Sequence, residues 1–476
     1  MEKPDKTRIL TVFTIVMITI TSVDSIRNLP ATALFGPALI FFFLIGAVLF
    51  LIPAALVSAE LAAALPKRGG VYVWVREAFG VKWSFLAIWF QWVENVIWYP
   101  AILSFLAGTI AYLFDPSLAK NHWYLWSTIV IVYWGTTLVN LRGLKASAWM
   151  SVFCGMAGLV LPMTLIVLLG VIWIATGHPM QVSFSPKHLF PDLTDPSLLV
   201  SMTGVILSYS GIEIATVHAR EAKNPQRDYP RALIISTVII AGSLILGSLS
   251  IAIVVPHDQL SLVAGIMQAF TYFLGAYHLT WLVPFVAVFI AVGLLGSISN
   301  WTLAPIKGLL VAAQDGNLPP ILQRENKAGA PSVLLIVQAV IVTLASTVFL
   351  FMKDINSAYW ELTVVAAQLY MVMYIIMFAA GIYLRYKRPD LKRPFQVPGG
   401  NIGMWVVAGV GMATAIFTIV IGFFPPENMH IGSTFKFESV IIIGLLIMSI
   451  PPFIIYALRR PHWKDVAVTR ALCGDE

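Results

Sequence analysis

ILSYSGIEIATVHAREAKNPQRDYP, residues 206–230, is the stretch on which the fold turns. Its first half lies in an apolar run long enough to enter a bilayer, yet it places Ser208, Ser210, Gly211 and Glu213 within six residues. Lipid offers no hydrogen-bond partner to a loosened backbone. Such an interruption is therefore tolerated at membrane depth only where protein or a water-filled cavity surrounds it. That points to a binding site rather than an anchor. A second interruption, Thr21-Ser22-Val23-Asp24-Ser25-Ile26-Arg27-Asn28, falls in the first apolar segment. Two broken helices in corresponding places predict an all-α polytopic membrane protein of the secondary-transporter type, built from inverted repeats.

Composition agrees. Of 476 residues, 59% are hydrophobic and 11% charged, and mean hydropathy is +0.85. An ordinary soluble protein has about 25% charged residues. The formal charge of +7 raises nucleic acid or anionic lipid as partners, but the charges sort by membrane side, so lipid bilayer is expected and nucleic acid is not. Cys154 and Cys473 are the two cysteines and imply neither a disulfide framework nor a cysteine metal site. The first apolar segment is too long for a signal-peptide core, so it is expected to remain as a span.

At roughly 20 apolar residues per crossing, twelve transmembrane helices are predicted near 8–36, 37–65, 84–114, 123–141, 146–176, 195–219, 232–255, 281–313, 332–352, 358–385, 402–424 and 438–458. Residues 258–278 are patchily apolar and predict helical structure outside the membrane. With the N-terminus inside, the Lys/Arg clusters at 3–8, 67–82, 142–145, 220–231, 307–327, 385–393 and 459–470 all fall on the cytoplasmic face. Lys120, Lys187, Lys353 and Lys436 fall outside. This positive-inside pattern predicts an even span count and two cytoplasmic termini. The loop PKRGGVYVWVREAFGVKW, 66–83, reads either as an interfacial helix or as an inner gate element.

Ionisable groups inside spans are costly, about 2.5 to 3.5 kcal/mol at a helix centre, which makes each a functional candidate. Asp24 and Arg27, three apart, have two open readings. They form a mutual pair that fixes the break, or they face the two ends of a zwitterion together with free amides and carbonyls of the break. Glu94 pairs with Arg27 or receives a basic group of the substrate. Glu213 is either a helix-start carboxylate or a buried acid whose protonation is coupled to gating. His218 is a further group able to titrate. Glu60 and Lys307 lie toward the cytoplasmic side, where snorkelling or a gate ion pair would satisfy them. Trp301 is a candidate aromatic lid or cation-stacking ring, with core packing as the alternative. The expected binding residues are Ser22, Val23, Asp24, Ser25, Arg27, Glu94, Tyr209, Ser210, Gly211 and Trp301, with Glu213 for proton coupling or gating. No phosphate-cradling loop, HExxH or Gly-x-Ser-x-Gly elbow occurs, so no enzyme activity, cofactor or metal is expected.

Four segments carry a family resemblance: 206–230 quoted above, LSLVAGIMQAFTYF at 260–273, APIKGLL at 304–310 and RPDLKRPFQVPGG at 388–400. On these the chain resembles the amino acid/polyamine/organocation transporter superfamily, and within it the bacterial glutamate/GABA antiporter-like group, from the first span through the twelfth. The resemblance implies a LeuT-type fold of five-plus-five inverted repeats (8–176 and 195–385) with two additional helices (402–458), followed by a short tail (459–476). It also implies alternating access without a nucleotide. Val23, Asp24 and Ser25 then correspond to the small-residue substrate motif of the first helix, Gly211-Ile212-Glu213 to the G-x-E of the sixth, and Trp301 to the approach of the eighth. Two departures stand out: the first break is more charged, and Ser297 stands where an acid is usual. A longer C-terminal plug is not expected. The sequence thus predicts a bacterial inner-membrane amino acid antiporter exchanging one amino acid for another. A proton-coupled polyamine or cationic amino acid importer is the alternative within transport, and a non-transporting amino acid sensor the alternative outside it.

Overall fold

A computed structural model of the chain describes residues 11–65, 69–142, 155–191, 199–214, 224–426 and 433–464. Among these residues the regular structure is helical, and eleven helices are long and apolar enough to cross a membrane. They are Val12–Ala33, Gly36–Ala64, Val81–Ala111, His122–Leu141, Met156–Ala175, Arg231–Val254, Thr280–Gln314, Ser332–Phe351, Ile355–Lys387, Gly400–Ile421 and Thr434–Ala457. Ten of them match a predicted span within about four residues at each end; the fifth begins at Met156, ten residues after its predicted start, and 143–154 lie outside the described residues. The sixth predicted span is represented by Ser201–Tyr209, which is too short to cross, and by the turn that follows it; 215–223, including His218, lie outside the described residues. We number spans by their order in the sequence, keeping this segment as the sixth. The stretch at 258–278 contains the helix Gly265–Ala276.

The first span is interrupted where its sequence turns polar. Val12–Val23 is helical, Asp24 and Ser25 are extended (ψ 133° and 118°), and the chain re-enters helix through a single 3-10 turn at Ile26–Asn28 and then Leu29–Ala33. Short polar side chains compete for backbone hydrogen bonds and so favour such breaks. Pro30, which lacks an N–H, sits in the first turn of the new helix, where that donor is not missed. The sixth segment breaks after Tyr209: Ser210 is extended (ψ 152°) and Gly211 has φ +105°, a backbone region that side-chain-bearing residues avoid.

Around these breaks the third and tenth spans form the centre of the bundle. They run along one another, and the apolar windows that define them are 89% and 83% buried, against 11% for the twelfth. The first half of the first span packs on the seventh span, and Ser201–Tyr209 packs on the second and tenth. The fifth and eighth spans touch backbone to backbone: a Cβ added at Gly158 would fall 2.0 Å from Gly293 Cα, the close approach that small residues allow between membrane helices. Phe435, Ile443 and Ile447 of the twelfth span are exposed, as suits a surface bathed in lipid.

Candidate functional site

The first break delivers two opposite charges into the interior, and they do not pair with each other. Asp24 is buried, and Oδ2 accepts a hydrogen bond from Ser243 Oγ of the seventh span at 2.6 Å. Its Oδ1 has no partner among the described residues. Arg27 is 1% exposed. Its Nη1 donates to the Tyr359 hydroxyl of the tenth span at 3.2 Å, and its guanidinium carbon lies 5.0 Å from the Trp98 ring centre and 5.8 Å from that of Tyr359. Arg27 Nε is buried without a partner. The mutual pair weighed from the sequence is thus replaced by two separate anchorages. The reason is local: a spacing of three brings side chains together only on a helix, and Asp24 and Ser25 are extended. Val23 is the last helical residue before the break and is buried, Ser25 is partly buried, and Ser22 falls in the last turn.

The third span passes beside this break. Glu94 is buried and accepts from Asn95 Nδ2 at 2.8 Å. It stands within electrostatic reach of Glu213 and Arg27, but no ion pair within 4.0 Å joins it to Arg27 among the described residues. Trp98, one turn further, carries the guanidinium on one side and lies 5.8 Å from the ring of Trp301 of the eighth span. Arg27, Trp98 and Trp301 therefore make a short cation–aromatic ladder in which Trp98, and not Trp301, touches the charge.

At the second break the side chains are held more completely. The Tyr209 hydroxyl donates to the Phe43 carbonyl at 3.0 Å, and Ser210 Oγ to the Ile206 carbonyl of its own helix at 2.9 Å. The Gly211 amide donates to the Tyr374 hydroxyl at 2.8 Å. Glu213, 1% exposed, accepts from Gln91 Nε2 at 3.0 Å and from the Tyr370 hydroxyl at 2.6 Å through Oε1, and from the Tyr374 hydroxyl through Oε2. These are donors from side chains of the third and tenth spans.

Sequence reading singled out neither Ser243 nor Gln91, and none of the tenth-span tyrosines Tyr359, Tyr370 and Tyr374. Only the last two left a trace: two phenols four residues apart in an apolar span lie on one helical face and need polar partners.

Two further clusters lie away from the breaks. Glu60 is bidentate to Arg385 (Nε and Nη2, both 2.6 Å), lies 3.4 Å from Arg393 Nε and accepts from the Val397 amide at 2.7 Å. This buried cluster ties the second span to the tenth and to the 388–400 loop, while Lys307 is exposed. The helix Val71–Phe79 in the loop after the second span is pinned by Tyr72 and Arg76 to Asp315 (2.7 and 3.1 Å). Its last carbonyls, Glu77 and Ala78, accept from Lys387 Nζ. Burial and the neighbouring Asp315 carboxylate push the Tyr72 hydroxyl above its usual range, so it remains a donor. A cleft of about 240 Å³ at the far end of the first span is lined by Leu34, Phe35, Gln181, His188 and His257.

A helical membrane protein with two interrupted segments and buried charge at its centre is a carrier in architecture. Residues 10–447 match the amino acid permease family, and the chain belongs to it. An uncharacterized transporter of Legionella pneumophila is 43% identical over 447 residues, 94% of this chain and 96% of that protein. A glutamate/gamma-aminobutyrate antiporter of Lactococcus lactis is 32% identical over 464 residues, 96% and 92% of the two chains. A probable agmatine/putrescine antiporter of the same species is 25% identical over 395 residues, 82% of each. The protein is thus a multi-pass membrane transporter for small molecules and not an enzyme.

Proposed function

We propose that this protein is a secondary active amino acid antiporter of the bacterial inner membrane, alternating around a site between the first and sixth segments. What carries the reading is the first break, where Asp24 and Arg27, three residues apart and opposite in charge, are buried and each keeps one polar atom, Oδ1 and Nε, without a partner among the described residues. Leaving such groups unpaired costs free energy, and the ammonium and carboxylate of an amino acid complement them. Main-chain groups of 22–27 complete the cradle, Arg27 and Trp98 with Trp301 behind them set one wall, and Glu94, Tyr209, Ser210 and Gly211 shape the rest. Glu213 couples protonation or gate movement. The sixth segment is the twelfth crossing, the repeats are 8–176 and 195–385 in a single transporter domain, and both termini are cytoplasmic. Bacterial relatives named as antiporters support exchange.

A second reading, a proton-coupled importer of polyamines or cationic amino acids, is favoured by the charge balance, since the buried carboxyls at and beside the breaks, Asp24, Glu94 and Glu213, outnumber the one buried cation there, Arg27, among the described residues. Purified protein in liposomes loaded with one amino acid and offered labelled candidates outside separates the two. Antiport requires uptake to depend on internal substrate. Uptake indifferent to it and driven by a proton gradient selects the importer, and ligand-dependent thermal stabilisation without flux selects a sensor.

A further inference from the structure

Tyr370 and Tyr374 both donate to Glu213, yet they are not equivalent. Only Tyr374 also receives the Gly211 amide, at 2.8 Å. A backbone N–H can only donate, so the Tyr374 oxygen is fixed as its acceptor, and the single phenolic proton is directed to Glu213 Oε2. The ring has little freedom to leave. Phe50 meets it edge-on at 4.8 Å from the π-helical turn Ala47–Leu51 of the second span, with Tyr370 at 5.1 Å and Phe378 at 6.1 Å. One hydroxyl therefore bridges the amide at the break of the sixth segment and the carboxylate two residues beyond it.

We propose that Tyr374 is a positioning residue that couples occupation of the Gly211 amide by a substrate carboxylate to the protonation of Glu213. This rests on the transporter reading above. Hydrogen bonds in series polarise one another. A carboxylate that draws on the Gly211 amide weakens what Tyr374 receives and so what it gives to Glu213. A solvent proton taken up at Oε2 makes Tyr374 turn its own proton away and disturbs Gly211; the proton returns to solvent when the chain is restored, and no covalent bond changes otherwise. Linkage makes the two effects equal in size. Among the described residues, the other titratable groups facing Glu213 are Glu94 of the third span, on which Arg27 also acts, and Tyr370 of the tenth. Gln91 adds a neutral donor. The segments of the first, second and eleventh spans packed on Ser201–Tyr209, namely Leu29–Ala33, Leu39–Gly46, Ala47–Leu51 and Gly400–Ile421, carry no titratable side chain.

The test is the pH dependence of KM and kcat for a carried amino acid in liposomes, for the wild type, Tyr374→Phe and Tyr370→Phe. The wild-type KM is expected to vary with pH. Tyr374→Phe should remove most of that variation, whereas Tyr370→Phe, which keeps the Gly211–Tyr374–Glu213 chain, should shift the profile and keep its slope. A Tyr374→Phe protein with the wild-type profile and a uniformly lower kcat overturns the coupling, as does a wild-type KM indifferent to pH or equal flattening by both variants. Should Tyr374→Phe fail to fold, Phe50→Leu, which loosens the ring, is expected to weaken the pH dependence, and an unchanged profile counts against the proposal. Where the wild type binds an amino acid without flux, the transport reading falls and the same pH series on Kd decides the coupling; loss of both binding and flux removes both.

Discussion

Arg27 is the residue on which most of the proposed binding site depends. Its guanidinium is planar, always charged and set against two aromatic faces, and each of those properties is lost differently on substitution. Arg27→Ala should weaken substrate binding by more than the order of 1 kcal/mol expected for one hydrogen bond, with the protein still inserted. Arg27→Lys should retain part of the affinity, because a point charge keeps the attraction but not the fork or the stacking. Asp24→Asn should produce a loss like that of Arg27→Ala. Isothermal titration of purified protein measures all three, and unchanged affinity in both Arg27→Ala and Asp24→Asn would assign these residues to structure alone. Glu213→Gln is a different experiment, since the amide keeps the shape and one acceptor but cannot titrate. It should flatten the pH profile of transport, and a preserved profile removes the coupling role.

At the scale of elements, each break has a physical reason that can be removed. Gly211 at φ +105° is the clearest case. Alanine there meets a backbone region costing on the order of 1–3 kcal/mol, so Gly211→Ala should lower thermal stability in detergent and reduce flux, while an unaffected melting temperature would show that the turn relaxes. The Glu60–Arg385 pair fastens the second and tenth spans in the same sense. Breaking a buried pair costs about 3–5 kcal/mol because one charge is stranded, so Arg385→Met should destabilise strongly and Glu60→Gln with Arg385→Met should restore part of the loss. The breaks themselves were legible: Ser, Asp and Gly in apolar runs have few other uses in lipid, and the spans follow from hydropathy alone. Partners across the bundle were not. Nothing in the run AAQLYMVMYII, 366–376, says that Tyr370 and Tyr374 meet a glutamate more than 150 positions away. The separation of Asp24 from Arg27 could likewise not be read, because a spacing of three implies contact only if the helix continues.

For the molecule as a whole, the contacts between loops bear on the number of crossings. Tyr72 and Arg76 follow the second span, Asp315 follows the eighth, and they are bonded, so those two loops share one end of the bundle. Five complete spans lie between them, the third, fourth, fifth, seventh and eighth. Five crossings would leave the loops at opposite ends, and the proposed crossing of the sixth segment would bring them together. The same argument applies at the other end, where His257 after the seventh span meets the Leu34 carbonyl after the first. Combined with the excess of Lys and Arg in the loops that contain Arg76, Lys327 and Lys392, this parity supports the proposed cytoplasmic placement of those loops. In a background with Cys154 and Cys473 replaced by serine, a membrane-impermeant maleimide should label Lys120→Cys and Lys353→Cys in cells whose inner membrane is intact and accessible. Lys327→Cys and Lys392→Cys should react only after that membrane is opened. If Lys120→Cys and Lys353→Cys label from opposite faces, an odd number of crossings separates them; the sixth segment then does not span, and a site shared between two broken helices is lost with it.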